Sequence, residues 1–485
     1  MLLENKMFIN YENRFDVLNE KPSEIPVELT QAQAIEDLNQ CVYLLETSCV
    51  SYIEQREKIN FQERYNQVLE ELKSRPTVRT EYFLMSQLGK LTDGIKDLHS
   101  SFSCEITENN QTRTFVRRFI PKTVVYFSSG YFIKKGKHFI STDNSSMMLD
   151  GEIPNQKTKI IEKSQLYFVP VLHNSKNLYK AAKFFTWSFP EEKDFLINGQ
   201  TVNFSKQNFE LESSWKSLQS KYRNSRTNYY FIMPDCSMPW DLQKQHYDIL
   251  HENMNGIRTK KNLIIDNRWN CGGIPLHQLK FFCELFGYTS NIIDDFINRD
   301  IPRDEDILEG KCLLSNPIVQ KEIEMSEKSG DWKYKSRFLN FYKNELTQLQ
   351  NGKTRWSDNE DPDGPHHHLG EKTSYKGRII LLVDARTASM GEQLYLTIKE
   401  DFGYKNIVLV GTNTCGCMSY GNPYPYYLKN SGITLCLSSR TEAFSSDNFA
   451  KEYLEGRGLI PDYWATTDVE LEETLDCLCD GESDD

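Results

Sequence analysis

A serine between an apolar strand and a helix is the first residue whose setting could support catalysis. Ser389 follows the continuous apolar run at 378–384 after a few small residues, and a helical pattern begins at Gly391. At such a turn a hydroxyl can be exposed, and the first backbone N–H groups of the helix can receive an anion. The segment therefore predicts either a nucleophile elbow without the usual Gly-x-Ser-x-Gly string or an ordinary N-cap serine.

Paired glycines follow a second apolar strand. Gly272 and Gly273 end the loop that begins at Asp266, directly after the run at 262–266. Glycines in such a loop allow the backbone to approach a neighbour closely and leave N–H groups uncovered, as an oxyanion hole requires. The alternative is a plain loop that needs positive φ.

Two further residues have side chains suited to proton transfer. His99 lies where a helical pattern gives way to strands, and histidine is the commonest general base near neutral pH. Glu455 precedes a Gly-x-Gly turn, where an acid could orient a histidine. Taken singly, His99 fits a structural histidine and Glu455 fits a surface acid, so each depends on the other residues converging on it.

The elements that must position these residues follow from the hydrophobic pattern. From 30 to about 98, apolar residues recur at three- and four-residue spacing, which predicts helices. From 102 to 204, short β-rich runs predict a small barrel or sandwich. From 227 onward, apolar strands alternate with helices, which predicts parallel crossover units with functional groups at the carboxyl ends of the strands. The strands predicted in this last part lie at 229–233, 262–266, 378–384, 406–411 and 432–437.

These patterns predict a fold of the α/β class combined with β structure, in four parts. The parts are an N-terminal helical subdomain (1–101), a β-rich module (102–225), an α/β core (226–470) and an acidic tail (471–485). The helical subdomain carries His99. The core contains a polar insertion (294–376) that is long for a connection, so it either folds by itself or covers a site.

Composition excludes several classes of protein. The chain has 485 residues, 39% of them hydrophobic, and a formal net charge of -12, which argues against nucleic-acid binding. We find no apolar run of 18 residues, so no membrane-spanning helix is expected. The N-terminal residues lack the layout of a secretory signal, which predicts a cytoplasmic protein. The sequence gives no prediction of oligomeric state.

Cysteine and histidine clusters are weak candidates for a metal site. Cys415 with Cys417, and Cys477 with Cys479, form Cys-x-Cys pairs, which suit tetrahedral zinc less well than Cys-x-x-Cys pairs. Three adjacent histidines at 366–368 cannot easily face one ion. We therefore expect free thiols and a solvated histidine loop, and no metal.

Five motifs in chain order carry a resemblance. They read "DGIKDLHSSF", "LIIDNRWNCGG", "RIILLVDARTASMGEQL", "NIVLVGTNTCGCMSYG" and "EGRGLIPD". In this order they resemble the C-terminal processing and tricorn-core group of serine peptidases, over roughly residues 30–465. The resemblance implies a crotonase-like α/β catalytic core. It also places the β-rich module where relatives carry a PDZ-like domain, so a divergent PDZ-like module and a different β module both remain open.

The resemblance also distinguishes two catalytic versions. In the processing-protease version a lysine activates the serine, and Cys417 stands at that lysine's place in this chain. In the tricorn-like version a histidine is the base and a glutamate supports it, and His99 and Glu455 match those places. The tricorn core has a serine directly before its histidine, whereas Leu98 stands there in this chain. Ser100 or a water molecule would then have to bridge His99 and Glu455.

The implied reaction is acyl transfer on a peptide or an unfolded protein, without metal or cofactor. Ser389 would be the nucleophile, and the N–H groups of Met390 and of Gly272 or Gly273 would hold the oxyanion. Two other functions stay open, a binding protein that kept the fold without catalysis and an esterase-type acyl hydrolase.

Overall fold

The computed structural model describes residues 24–159, 165–185, 192–273, 275–288, 374–441 and 454–480, together with Pro22 and two short strands at 305–307 and 355–357. The strands, in chain order, are β1 (Glu28–Thr30), β2 (Thr77–Arg79), β3 (Ser101–Glu108), β4 (Gln111–Arg118), β5 (Val124–Lys135), β6 (His138–Ser141), β7 (Met148–Asp150), β8 (Tyr167–His173), β9 (Lys176–Phe185), β10 (Glu192–Ile197), β11 (Gln200–Ser205), β12 (Asn228–Ile232), β13 (Asn262–Asp266), β14 (Glu305–Ile307), β15 (Arg355–Ser357), β16 (Arg378–Val383), β17 (Ile407–Gly411), β18 (Tyr420–Tyr427), β19 (Thr434–Thr441) and β20 (Tyr463–Trp464).

The helices, in chain order, are α1 (Gln31–Ser48), α2 (Val50–Gln55), α3 (Phe61–Lys73), α4 (Thr80–Tyr82), α5 (Gly89–Thr92), α6 (Leu211–Tyr222), α7 (Trp240–Glu252), α8 (Met254–Arg258), α9 (Leu276–Phe286), α10 (Met390–Leu396) and α11 (Asp468–Asp480). A 3-10 turn at Arg56–Ile59 and π-helical turns at Phe83–Leu88 and Thr397–Asp401 connect some of them. No described helix is both long and apolar enough to cross a membrane. Sheets and helices together confirm the mixed α/β class.

The chain divides into two compact units. The first comprises Met1–Pro121, Asp300–Gly364 and Ser419–Asp447, and the second comprises Lys122–Arg299, Pro365–Met418 and Asn448–Asp485. His99 and Ser100 belong to the first unit. Ser389, Met390, Glu455 and the two glycines belong to the second. The four-part division drawn from the sequence stays a prediction.

In the first unit, helices pack against one face of an antiparallel sheet. The sheet order is β15-β14-β19-β3-β4, and β18 also pairs with β19. One core joins apolar residues of the helices, such as Leu38 and Phe83, to Phe102 and Leu435 of the strands. The two described strands of the insertion, β14 and β15, extend this sheet. The three histidines at 366–368 lie outside the described residues.

The second unit contains a five-stranded parallel sheet in the order β12-β13-β16-β17-β20. All five residues of β13 are buried, as expected for a strand covered on both faces. Ile264, Ile380 and Val410 of this sheet pack with Leu218 of α6 and Leu471 of α11. The parallel units predicted from the apolar runs at 229–233, 262–266, 378–384 and 406–411 are confirmed.

The prediction that the fifth strand, at 432–437, continues the parallel units was wrong. This strand forms part of β19, which lies in the antiparallel sheet of the first unit and pairs with β18 and β3. Its residues 434–437 alternate between half-buried and buried, the pattern of a strand with one covered face. Length and apolar content alone did not separate this strand from the parallel ones.

The second unit also contains an antiparallel sheet of seven strands. Its order is β10-β11-β5-β6-β7, with β8 and β9 joined to it through β5. The runs predicted at 123–127 and 131–133 form one long strand, β5, with a register shift between Phe127 and Tyr131. The PDZ-like and crotonase-like subdomain layouts are not confirmed by this topology.

Candidate active site

Ser389 lies in a strained turn between β16 and α10. Its backbone has φ 51° and ψ -124°, a conformation that non-glycine residues rarely adopt. Ser389 is also the N-cap of α10 and forms a capping box with Glu392, although an N-cap residue ordinarily lies in the extended region. The N–H groups of Glu392 and Gln393 both donate to its backbone oxygen, at 2.8 and 2.9 Å. The side chain is partly exposed at the carboxyl end of a buried parallel strand, which is the arrangement of a nucleophile elbow.

The paired glycines lie against this turn. A Cβ atom at Gly272 would be 2.6 Å from the Cβ of Ser389 and 2.9 Å from the backbone nitrogen of Met390. At Gly273 it would be 2.5 Å from the carbonyl oxygen of Cys236. Both glycines have positive φ, at 93° and 123°. Only glycine fits at these two positions, so the close approach expected from the sequence is present.

The Gly272 N–H already has an acceptor. It donates to the side-chain oxygen of Asn270 at 3.1 Å. A donor held in this way would have to exchange partners before it could bind an oxyanion. The N–H groups of Gly273 and Met390 are therefore the better candidates among the three named from the sequence.

Asparagine side chains and backbone groups fasten the glycine loop to the turn. The Ala388 N–H donates to the carbonyl of Asn270 at 3.0 Å. The Asn267 amide donates to the carbonyl of Gly391 at 2.8 Å, and the Thr387 hydroxyl donates to the carbonyl of Asn267 at 3.1 Å. Nucleophile turn and glycine loop thus form one hydrogen-bonded assembly.

Two ion pairs support the same assembly, and sequence reasoning missed both. Arg268 is fully buried and binds Asp266 through Nε at 2.9 Å and Nη2 at 2.6 Å. Arg386 binds the buried Asp384 and lies 4.0 Å from the ring centre of Trp269. Trp269 itself has φ 74° and is half exposed. The Asp-x-Arg spacing in both loops is the signal that could have found them.

A buried glutamate joins Ser389 to the loop after β17. Glu392 has no exposed surface. Its Oε2 accepts from the Ser389 N–H at 3.0 Å and the Cys417 N–H at 2.9 Å. Its Oε1 accepts from the Gly416 N–H at 2.7 Å and from the Thr414 hydroxyl. Burial raises the pKa of Glu392, while these hydrogen bonds act in the opposite direction.

Glu455 lies on a loop that packs on the same segment. Its Oε2 accepts from the Met418 N–H at 3.2 Å. The next residue, Gly456, donates its N–H to the carbonyl of Gly416 at 2.7 Å. A Cβ at Gly416 would lie 2.3 Å from the carbonyl oxygen of Leu454. The candidate supporting acid is thus positioned by the loop whose N–H groups bind Glu392.

His99 follows a buried aspartate in the first unit. Asp97 Oδ1 accepts from the His99 N–H at 2.9 Å and the Ser100 N–H at 3.0 Å. Asp97 Oδ2 accepts from the Ser100 hydroxyl at 2.6 Å, and Ser100 Oγ accepts from the Ser438 N–H at 3.0 Å. Leu98 is buried. The Ser100 hydroxyl is engaged within this loop, and its bridging role toward Glu455 stays a prediction.

Among the described residues, no group of three or more His, Cys, Asp or Glu side chains could hold a metal ion. Cys415 and Cys417 are buried, and Cys477 is partly exposed. The arrangement around Ser389 offers a hydroxyl and backbone donors, which are the nucleophile and the oxyanion ligands that acyl transfer needs besides a base.

Comparison with known proteins gives a family for the region that carries this arrangement. The model of peptidase family S41 matches residues 233–464. None of the curated proteins matches the chain.

Several solved structures resemble the chain at low identity. Mature CPAF complexed with lactacystin is 13% identical, with 93% of this chain and 97% of that chain covered and a TM-score of 0.44. The photosystem II D1 C-terminal processing protease is 11% identical, with 93% and 96% covered and a TM-score of 0.32. The tricorn protease is 14% identical, with 92% and 36% covered and a TM-score of 0.34.

The matched residues contain the paired glycines, Ser389 and Glu455. The match supports a serine peptidase. Residues 233–464 therefore form a peptidase family S41 region, and the recognition made from the sequence motifs is confirmed.

Proposed function

We propose that this protein is a serine peptidase of the tricorn-like type, with Ser389 as nucleophile, His99 as general base and Glu455 as the supporting acid. The observation that carries the proposal is the backbone of Ser389, which has φ 51° at the junction of a buried parallel strand and a helix. Strain of this kind costs about 1–3 kcal/mol and persists where the surrounding structure enforces it. It supports a nucleophile, because the N-cap role that Ser389 also fills needs no such strain.

In the proposed reaction His99 takes the proton of Ser389 as its oxygen attacks the peptide carbonyl. The N–H groups of Met390 and Gly273 stabilise the oxyanion, and each such donor contributes about 2.7–4 kcal/mol to lowering the barrier. Protonated His99 then donates to the leaving amine, and water hydrolyses the acyl-enzyme with the same roles reversed.

The Ser-His-Glu version is preferred to a Ser-Lys version because of position 417. A thiol cannot act as the amine base that a lysine supplies. The Cys417 N–H donates to Glu392, a backbone role that does not depend on the side chain at this position. Ser100 supports His99 by fixing Asp97, whose carboxylate holds the His99 backbone.

A fluorophosphonate probe followed by peptide mapping tests the proposal. Wild type should be labelled at Ser389, whereas Ser389→Ala should not be labelled and should lose hydrolysis of a peptide library. Ser213→Ala is the matched control, because it removes one exposed hydroxyl from α6 of the same unit. An unlabelled wild type without hydrolysis would support the binding-protein alternative, and cleavage restricted to esters would support the esterase alternative.

A further inference from the structure

The geometry points to Glu392 as a positioning residue that fixes Ser389 and the loop bearing Glu455 relative to each other. The inference rests on the proposed function for its catalytic meaning. Glu392 touches no substrate in this scheme. It acts through the backbone of Ser389 on one side and through the segment 414–417 on the other.

The first step of the argument is the donor set. Glu392 accepts three backbone N–H groups and one hydroxyl, with the backbone distances between 2.7 and 3.0 Å. A carboxylate that accepts several hydrogen bonds in a buried site is held rigidly and needs all of them, since a buried unpaired charge is costly. Glu392 is therefore held by Ser389 and by the 414–417 segment, and through the same bonds it holds these two segments together.

The second step concerns the nucleophile turn. The Ser389 N–H is bound by Glu392 Oε2 at 3.0 Å, within the capping box that begins α10. This bond helps to hold φ at 51°. It also removes the Ser389 N–H from the set of oxyanion donors, which leaves the Met390 N–H as the donor at this turn.

The third step links the loop to Glu455. The Thr414 hydroxyl donates to Glu392 and accepts from the Leu459 N–H at 2.7 Å. A Cβ at Gly458 would lie 2.1 Å from the carbonyl oxygen of Thr414. The chain before and after Glu455 is thus packed on residues that bind Glu392. A shift of the 414–417 segment would move the supporting acid.

The fourth step explains why glutamate is required. Each carboxylate oxygen of Glu392 faces at least one backbone N–H. In glutamine one of these oxygens becomes an NH₂ group, which would meet an N–H donor in either amide orientation. Backbone N–H groups cannot reverse their role, so Glu392→Gln should break this assembly although its size is nearly unchanged.

The test compares Glu392→Gln with Glu470→Gln in the full-length protein. Glu470 is a buried glutamate of the same unit that binds Thr466 and Lys180, on segments other than the nucleophile turn. Both substitutions remove a buried carboxylate and lower stability. A difference between the two variants in exchange or activity therefore reports where the carboxylate lies, not the loss of stability. The readouts are the amide hydrogen exchange of Gly416 and Cys417, the fluorophosphonate labelling rate, and kcat and KM for one peptide.

We expect Glu392→Gln to speed exchange at Gly416 and Cys417 about tenfold and to lower the labelling rate and kcat about tenfold or more, with KM little changed. Glu470→Gln should leave all three near wild type. Unchanged exchange and labelling in Glu392→Gln would overturn the inference. If that variant fails to fold, Thr414→Val removes one of the four donors and should change the same readouts in the same direction by less.

Hydrogen exchange separates this inference from the proposed function. An unlabelled, inactive wild type would defeat the proposed function alone. In that case faster exchange at Gly416 in Glu392→Gln, but not in Glu470→Gln, would still support the positioning role, and unchanged exchange would overturn it.

Discussion

Two loops of this protein present a candidate catalytic residue beside a fully buried carboxylate, and they do so differently. Asp97 binds donors from His99 and Ser100, its neighbours in sequence, and the Ser438 hydroxyl at 3.2 Å. Glu392 binds donors that extend from Ser389 to Cys417. The His99 loop is therefore largely self-organised, whereas the Ser389 turn depends on a second loop being in place.

The two carboxylates also differ in the kind of donor they bind. Asp97 Oδ2 accepts from the Ser100 hydroxyl at 2.6 Å, and a hydroxyl can rotate and accept instead. The Glu392 oxygens both face backbone N–H groups, which cannot. The comparison predicts that two equally buried carboxylates differ in their tolerance of an amide, because a hydroxyl donor can become an acceptor and a backbone N–H cannot.

The largest expected effect is removal of the proposed base. His99→Ala should lower kcat/KM by about 10³-fold or more, as loss of a triad member does elsewhere. Glu455→Gln should cost less, because it weakens orientation of the base without removing it. Both are measured by steady-state peptide hydrolysis. Equal losses, or a larger loss in Glu455→Gln, would contradict the assigned roles.

The close approach at Gly272 is the next test. Gly272→Ala puts a Cβ 2.6 Å from that of Ser389, so we expect labelling of Ser389 to fall about tenfold or more. Gly199→Ala is the matched control, with positive φ of 78° and nothing within 4 Å of the added atom. Positive φ costs each variant about 1 kcal/mol of stability, and the close contacts at Gly272 cost that variant more. A similar labelling loss in both would remove the special role of Gly272.

The comparison of the two carboxylates can be tested directly. Asp97→Asn should lower kcat only about two- to fivefold, since the Ser100 hydroxyl can accept from the new amide. Glu392→Gln should lower it about tenfold or more. Melting temperatures measured alongside kcat show whether stability explains the difference. If Asp97→Asn lowers kcat as much as Glu392→Gln does, the ability of the Ser100 hydroxyl to become an acceptor does not explain a difference between the two loops.

Cys417→Ala should have a small effect, within about twofold in kcat/KM, because it keeps the backbone N–H that binds Glu392. Peptide hydrolysis and iodoacetamide mapping measure it. A loss as large as that of Ser389→Ala, with inactivation by alkylation at Cys417, would make the thiol the nucleophile.

Glu470→Gln should change stability with little effect on activity. Burial raises the pKa of Glu470, but the charge and hydrogen bond of Lys180 and the bonds from Thr466 outweigh it and hold the pKa below its usual value. A carboxyl with a lowered folded-state pKa contributes stability above its unfolded value, near 4.3, and loses it as pH falls further. The variant should thus lose about 3 kcal/mol at pH 7. Denaturant unfolding should show the deficit shrinking below about pH 4, and a constant deficit would contradict this.

Much of the site could be predicted from the sequence, because its signals are local. Continuous apolar runs predicted four strands of the parallel sheet, because a strand that is buried on both faces has apolar side chains at nearly every position. Ser389 and the paired glycines followed from their places at the carboxyl ends of those strands. The strand at 432–437 was assigned to the wrong sheet, because a short apolar run does not say which partner it pairs with.

Only the tertiary structure gave Glu392 its importance. In sequence it is the glutamate of a Ser-x-x-Glu capping box at the start of a helix, which accounts only for its bond to Ser389. Its partners at 414–417 are brought to it by the fold of β17 and the loop beyond. Local propensities act within a few residues, and they determined that a strand ends shortly before Ser389 and that a helix begins after it. The donors of a buried carboxylate depend on which distant segment folds back, and no local pattern encodes that.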